Sequence, residues 1–427
     1  MRDNTLKVFP ALKGADVSAL SITLINLIAR GCHLLLFLSI GNRFGTDTTT
    51  DTVFLLQAPL LVLMAVTAGA AEAVVMPAMH RAYRSNCSRL LLRVLTRRAL
   101  LLVVPIALAI SVFALQFVKG ATPGLACLLV PMPVLASLSA IKVGVLNAEG
   151  KHRLALLGPL YGGLLSLPVL YLIPRSGYSL AIVLLLFELG RAGGLWLHKV
   201  SRHLESNLDV REVGDLISWA TRGARLQAIG SFLMALNPFV DVLFANLTGI
   251  GAVTKVEYAN RLWNIVPLLL SGQLIIAYAH MSRTASRSRL DYKQVHRKAV
   301  TLGLAAVGVS LVVIASSDFI IDLLYGFGKM NESARMKLAD LLVCYLVGTG
   351  PFLGGLVYVR ALSSEGRIAV ITGIAAIGVM VNIGSNAVLI KFFGLNGIGL
   401  ATSLTYGINT LLLGYAFSAH FVSRRGK

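Results

Sequence analysis

The side chains with chemical potential in this sequence are charged groups set inside long apolar runs. Arg30 stands between Asn26-Leu-Ile-Ala29 and Gly31-Cys-His-Leu-Leu-Leu36, and Arg261 lies in Tyr258-Ala-Asn-Arg-Leu-Trp263. A charge at the centre of a bilayer costs at least about 2.5–3.5 kcal/mol, so each needs a reason. A guanidinium keeps its charge and offers a planar fork of donors. Two of them facing a hydrated cleft would grip an anion, and a pyrophosphate suits that geometry; the structural alternative is an ion pair or snorkelling. Glu72, in Ala-Gly-Ala-Ala-Glu-Ala, is a candidate partner or proton carrier, and Lys142 a candidate cleft residue that could equally snorkel to an interface. Glu188 and Arg191, three apart, share a helix face and can neutralise each other.

A second constellation is oxygen-rich. Asp241 lies in Leu236-Asn-Pro-Phe-Val-Asp-Val-Leu243, Asn382 and Asn386 are four apart, and Thr402 follows in the last apolar run. One carboxylate with amide and hydroxyl oxygens makes a hard site of low charge, suited to Na⁺. The same residue types also serve as interhelical hydrogen bonds. Na⁺ or H⁺ is therefore the expected coupling ion, with no organic cofactor. HExxH, Walker A and GxSxG are absent, and Gly394-Leu-Asn-Gly397-Ile-Gly399 sits between two apolar runs rather than in a βαβ unit, so no enzymatic chemistry is expected.

The elements that must hold these groups follow from composition. Of 427 residues, 56% are hydrophobic and 14% charged, where soluble domains carry about 25% charged. Mean hydropathy is +0.76. Those values exclude an ordinary soluble enzyme, a disordered chain and a fibrous repeat. Twelve stretches reach the ~20 residues of a membrane span: 17–41, 51–77, 99–118, 122–146, 154–174, 177–197, 224–247, 252–279, 299–324, 338–362, 368–392 and 395–419. Their length fixes an all-α polytopic class. The net charge of +20 reads as topology and attraction to anionic membrane lipids rather than as nucleic-acid binding. Most basic residues fall on one side if the N-terminus is cytoplasmic, including Arg81 to Arg98, Lys151, Arg153, the 191–225 region and the 283–298 loop, which predicts N-in and C-in. The four cysteines are scattered without ligand spacing, and the polar N-terminus has no signal-peptide pattern.

The chain repeats itself. Leu146-Asn-Ala-Glu-Gly-Lys151 closes the fourth span and Leu362-Ser-Ser-Glu-Gly-Arg367 the tenth; Ala58-Pro-Leu60 in the second recurs as Val266-Pro-Leu268 in the eighth. Six spans separate each pair, so two parallel six-helix halves are expected, over 1–197 and 224–427, with 198–223 as a cytoplasmic linker in which 210–219 could form a short interfacial helix.

Phe44-Gly-Thr-Asp-Thr-Thr-Thr-Asp51-Thr-Val-Phe54, a second span reaching Val74-Val-Met-Pro77, Val240-Asp-Val-Leu-Phe-Ala-Asn246 and Gly394-Leu-Asn-Gly-Ile-Gly-Leu-Ala-Thr-Ser-Leu404 resemble segments of the MurJ (MviN) lipid II flippases. That family lies in the multidrug/oligosaccharidyl-lipid/polysaccharide (MOP) exporter superfamily. The resemblance implies the MOP exporter fold, a bacterial inner-membrane location, and alternating-access transfer of an undecaprenyl-pyrophosphate-linked oligosaccharide, lipid II or a related glycan precursor. It implies cell-envelope biosynthesis proteins as partners, and it places Arg30 and Arg261 on family arginines and Asp241, Asn382, Asn386 and Thr402 on a sodium site of some members. Leu36 stands where the family has a further arginine, and Leu60 to Val66 carry no charge where it has a pair. The competing expectation is a cation-coupled multidrug antiporter of the same superfamily.

Overall fold

Apolar runs of this length leave backbone N–H and C=O groups no partner but each other, which only helices can supply within one segment. The computed structural model describes residues 15–84, 87–199, 210–270 and 291–425, and every regular element among them is helical. The first half contains α1 (Ala15–Phe44), α2 (Thr48–Arg84), α3 (Ser88–Phe117), α4 (Pro123–Leu129), α5 (Pro131–Ala148), α6 (His152–Ala155), α7 (Gly158–Leu172) and α8 (Gly177–Leu197). The second contains α9 (Val210–Ala245), α10 (Ala252–Trp263), α11 (Tyr292–Ala315), α12 (Ser317–Tyr325), α13 (Glu332–Val347), α14 (Thr349–Ser364), α15 (Ile368–Phe393) and α16 (Asn396–Arg425).

Ten helical segments among the described residues are long and apolar enough to cross a membrane. Of the other two expected spans, the eighth runs past residue 270 into the part outside the described residues. The twelfth, α16, is 30 residues long but interleaves its apolar residues with Asn, Thr, Ser and Tyr. The segment 210–219 is not a separate interfacial helix. It forms the first turns of α9, which runs unbroken for 36 residues.

Proline and glycine place the helix breaks, and they do so in matching spans of the two halves. The fourth span breaks at Val130, where Pro131 and Pro133 cannot donate back to the preceding turn. The tenth breaks at Gly348, with Pro351 tolerated in the first turn of α14. Both end in the same left-handed cap. Gly150 (φ 73°) and Gly366 (φ 74°) let Lys151 N–H reach Leu146 O at 2.8 Å and Arg367 N–H reach Leu362 O at 2.9 Å. The repeated Glu-Gly motif is thus a repeated three-dimensional turn.

The halves meet at both ends. At the end where α1 turns into α2, one apolar core takes Leu36, Ile40 and Phe54 from the first half and Tyr258, Tyr325 and Tyr345 from the second. At the opposite, arginine-rich end, α2 packs along α9. A Cβ on Gly69 would lie 2.1 Å from Ser231 Oγ, so only glycine allows that approach, and the Arg81 guanidinium sits 4.0 Å from the Trp219 ring centroid.

Candidate functional site

A cavity of about 180 Å³ lies between α1, α2, α8 and α10 and is lined by His33, Gln57, Glu188, Arg191 and Arg261 among apolar neighbours. Helical spacing delivers each group. Glu188 and Arg191, three apart on α8, form an ion pair at 2.7 Å, the carboxylate buried. Arg261 is four residues from Glu257 on α10, but its contact is long, 3.4 Å. Its guanidinium instead lies flat against α1, 4.2 Å from the Phe37 ring centroid. His33 stacks on Phe187 at 4.6 Å. Arg30, one turn before His33, is exposed and donates from Nε to Asn26 Oδ1 at 3.1 Å. Two guanidiniums, Arg191 and Arg261, therefore line the cavity, with Arg30 one turn from His33 and with Glu188 and Glu257 as the paired carboxylates. The volume is below the ~300–1,000 Å³ of a drug-sized site, so a large ligand needs the halves to part.

Toward the α1–α2 turn, several hydrogen bonds join the two halves, three of them accepted by one side chain. Asp51, in the first turn of α2, accepts from Gly251 N (2.5 Å), Thr254 N (2.8 Å) and Thr254 Oγ1 (2.6 Å) at the start of α10. A carboxylate at a helix N-terminus meets both the free N–H groups and the positive end of the dipole. Tyr258 OH donates to Gly45 O at 3.3 Å, and Lys329 N to Asn42 O at 2.8 Å. Every one of these bonds crosses between the halves.

The oxygen-rich constellation assembles within the second half. Asp241 on α9 is buried. Asn382 Nδ2 (3.2 Å) and Asn386 Nδ2 (3.1 Å) donate to its Oδ1, and Thr402 Oγ1 (2.7 Å) and Tyr345 OH (3.2 Å) donate to Oδ2. All five residues are at most 3% exposed. Asn386 Oδ1 is buried with no hydrogen-bond partner, an orphan acceptor where a cation would supply the missing contact.

The two remaining sequence candidates lie elsewhere. Lys142 is buried, but its Nζ donates to His198 O at 2.6 Å and lies 5.2 Å from the Trp196 ring centroid. It caps the carbonyl end of α8 and does not line the cavity. The Glu72 side chain falls outside the described residues.

The family profile of lipid II flippase MurJ matches residues 40–423. The chain belongs to the lipid II flippase MurJ family. A probable lipid II flippase MurJ of Buchnera aphidicola is 21% identical over 300 residues, covering 66% of this chain and 57% of that relative's length. The inward closed conformation of lipid II flippase MurJ superposes with a TM-score of 0.72 at 16% identity, over 92% of this chain and 87% of that one. The inward-facing conformation of a multidrug resistance MATE family transporter of the MOP superfamily gives 0.73 at 13% identity, over 96% and 99%. At such identities the superpositions carry the fold, which is that of the MOP exporters.

In this MurJ-family chain, the structure brings Asp241, Asn382, Asn386 and Thr402 into one cluster and Arg261 into the cavity, with Arg30 a turn from its wall. The Glu188–Arg191 pair forms as its spacing predicts, but its place in the cavity wall was not read from the sequence, and two neighbours, His33 and Tyr345, were missed. His33 was hidden because a histidine among leucines is an ordinary structural feature. Tyr345 carries no periodic signal that separates it from core tyrosines. Leu36, where the resemblance has an arginine, is buried in the cavity wall, and a second lining guanidinium comes from α8 as Arg191.

Proposed function

We propose that this protein moves an undecaprenyl-pyrophosphate-linked oligosaccharide from the cytoplasmic to the outer leaflet of a bacterial inner membrane, by alternating access and without covalent chemistry. The observation that carries the reading is the pair of guanidiniums, Arg261 and Arg191, lining one cavity between helices of the two halves, with Arg30 a turn from its wall. Among the described residues, the ion-pair contact of Arg261 is a long one, 3.4 Å to Glu257, and its other contact is with the Phe37 ring. An incoming phosphate oxygen would make shorter, charge-assisted bonds in place of the Glu257 contact. With N-in and C-in orientation from the basic residues, the Asp51 closure lies on the outer side. The halves, divided between 198 and 223, would part first at the cytoplasmic end to admit the glycan headgroup.

Na⁺ fits the Asp241 cluster as coupling ion. Rotating the two amides presents oxygens from Asn382 and Asn386 beside the Asp241 carboxylate and the Thr402 hydroxyl, and the unpartnered Asn386 Oδ1 is consistent with that donor set. The cluster also favours a second reading, cation-coupled drug antiport. Arg261→Ala separates the two. In proteoliposomes carrying fluorescent lipid II, the variant should fold and reconstitute normally yet lose transfer at least tenfold. Wild-type transfer by Arg261→Ala would overturn the flippase reading, and Na⁺-driven dye efflux retained in that variant would favour the antiporter.

A further inference from the structure

A second cavity, of about 440 Å³, opens on the outside of the bundle between α2, α3, α5 and α9, on the arginine-rich side. It is lined almost wholly by apolar side chains, the small Ala71 and Ala228 beside the larger Leu102 and Ile106. Leu102 is 63% and Ile106 44% exposed, as expected of lipid-facing positions. From Arg98 to Ile106 the groove follows α3 for eight residues, about 12 Å at 1.5 Å per residue. That lies within one leaflet, half of a ~30 Å hydrocarbon core.

Its mouth is cationic. Arg98 and Arg225, both exposed, line the groove from facing helices. Arg98 Nη1 donates to Thr221 Oγ1 at 3.0 Å, and Arg225 is one turn further along the same face of α9. The twenty residues after Arg98 and after Arg225 are those that cross the membrane, so both guanidiniums sit at headgroup depth. No acidic side chain is among the described lining residues. We propose that this groove is a binding site for an anionic phospholipid, one acyl chain lying along α3 and its phosphate held between Arg98 and Arg225. The depth argues for an acyl chain of one leaflet over a polyprenyl chain, which is far longer, and the two cations argue for a headgroup of net negative charge over a zwitterionic one. Because α3 belongs to the first half and α9 to the second, the bound lipid would bridge the halves. The assignment does not depend on which cargo the central cavity carries.

The test uses the full chain in vesicles of phosphatidylethanolamine and phosphatidylglycerol, with trace phosphatidylglycerol or phosphatidylcholine bearing a photoactivatable acyl chain, and maps labelled peptides by mass spectrometry. Phosphatidylglycerol should label the 99–106 and 224–228 segments several-fold more than phosphatidylcholine does. Arg98→Gln with Arg225→Gln should erase that preference, Arg98→Lys with Arg225→Lys should keep most of it, and Arg153→Gln should leave it intact. Ala228→Phe, which fills the groove, should remove labelling by both probes, and it serves as the second variant should the double glutamine protein fail to fold. Equal labelling of the wild type by the two probes would overturn the proposal. So would labelling confined to other lipid-facing surfaces such as Ile377 and Met380, or stronger labelling of the groove by a photoactivatable polyprenyl phosphate.

Discussion

Asp51→Asn tests whether one carboxylate holds the α1–α2 end shut. In the structure this group accepts three hydrogen bonds from Gly251 and Thr254 across the seam. Asparagine keeps one oxygen and turns the other into a donor. Whichever way the amide sits, it faces an N–H of α10 with an N–H of its own, so at least one bond is lost and replaced by a donor–donor contact. The substitution also takes a negative charge away from the N-terminus of α10. A hydrogen bond to a charged group nets about 1.5–3 kcal/mol. At about 1.4 kcal/mol per tenfold, the closed arrangement should lose roughly ten- to a hundredfold in population against any arrangement open at that end. Spin labels at Thr49 and Ile250, both exposed, report the separation directly by pulsed dipolar spectroscopy in a background with the four native cysteines replaced. The parent protein should give one short distance. Asp51→Asn should add a longer one, and Asp51→Ala should enlarge it further. A single unchanged distance in both folded variants would refute the assignment of Asp51 as the fastener, and would leave the contact of Phe54 with Tyr258 across the seam, 6.0 Å between centroids, among the elements that keep this end closed.

Further expectations follow from the same geometry. Arg191→Ala strips the partner from the buried Glu188 and should cost about 3–5 kcal/mol of stability, whereas Glu188→Gln with Arg191→Gln should cost much less; denaturant midpoints in detergent decide between them. Gly150→Ala and Gly366→Ala each force an alanine to positive φ and should each cost about 1–2 kcal/mol, with the double variant close to the sum because the turns lie in different halves. If Na⁺ binds the Asp241 cluster, adding it at ten to a hundred times its dissociation constant should stabilise the protein by about 1.4–2.7 kcal/mol over K⁺. Asp241→Asn should abolish that difference, and an equal Na⁺ response in the variant would dismiss the site.

Much of this was legible before the coordinates. Helical class follows from apolar runs whose backbone has no other partner. The repeat was visible because Glu-Gly after a helix is a conformational requirement: Gly150 and Gly366 occupy left-handed φ, and that constraint marks the same place in each half. Asn382 and Asn386 could be put on one face by their spacing alone. What spacing cannot give is which faces of different helices meet. Lys142 and Arg261 are both cations within expected spans, and both were candidates for the cleft. One is absorbed by the carbonyl of His198 and the other enters a cavity, because α8 ends beside α5 while α10 crosses to α1. The Asp51 closure was likewise hidden. An aspartate in the first turn of a helix reads as a favourable dipole partner for its own helix, and only the packing of α2 on α10 turns it toward another.

The duplicated scaffold also separates what the fold needs from what it carries. Both halves break their fourth helix, both close it with the same left-handed turn, and both set a proline in their second helix. Their charges, however, do not repeat. The amide pair that binds Asp241 has no counterpart in α7, which contains no asparagine, and the Glu188–Arg191 pair of α8 has none in α16, which bears no acidic residue and no lysine or arginine before its last turn. The shared breaks and caps therefore occur in each half without the other half's set. Buried ion pairs and carboxylates rarely improve on apolar packing of the same volume. A group that is costly to bury and dispensable to the architecture must be kept for another reason. In the first half that reason is a cationic cavity completed by one arginine from the second. In the second half it is an oxygen cluster that lies on α9, the helix immediately before the one that carries that arginine, joined to it by the loop that Asp51 holds.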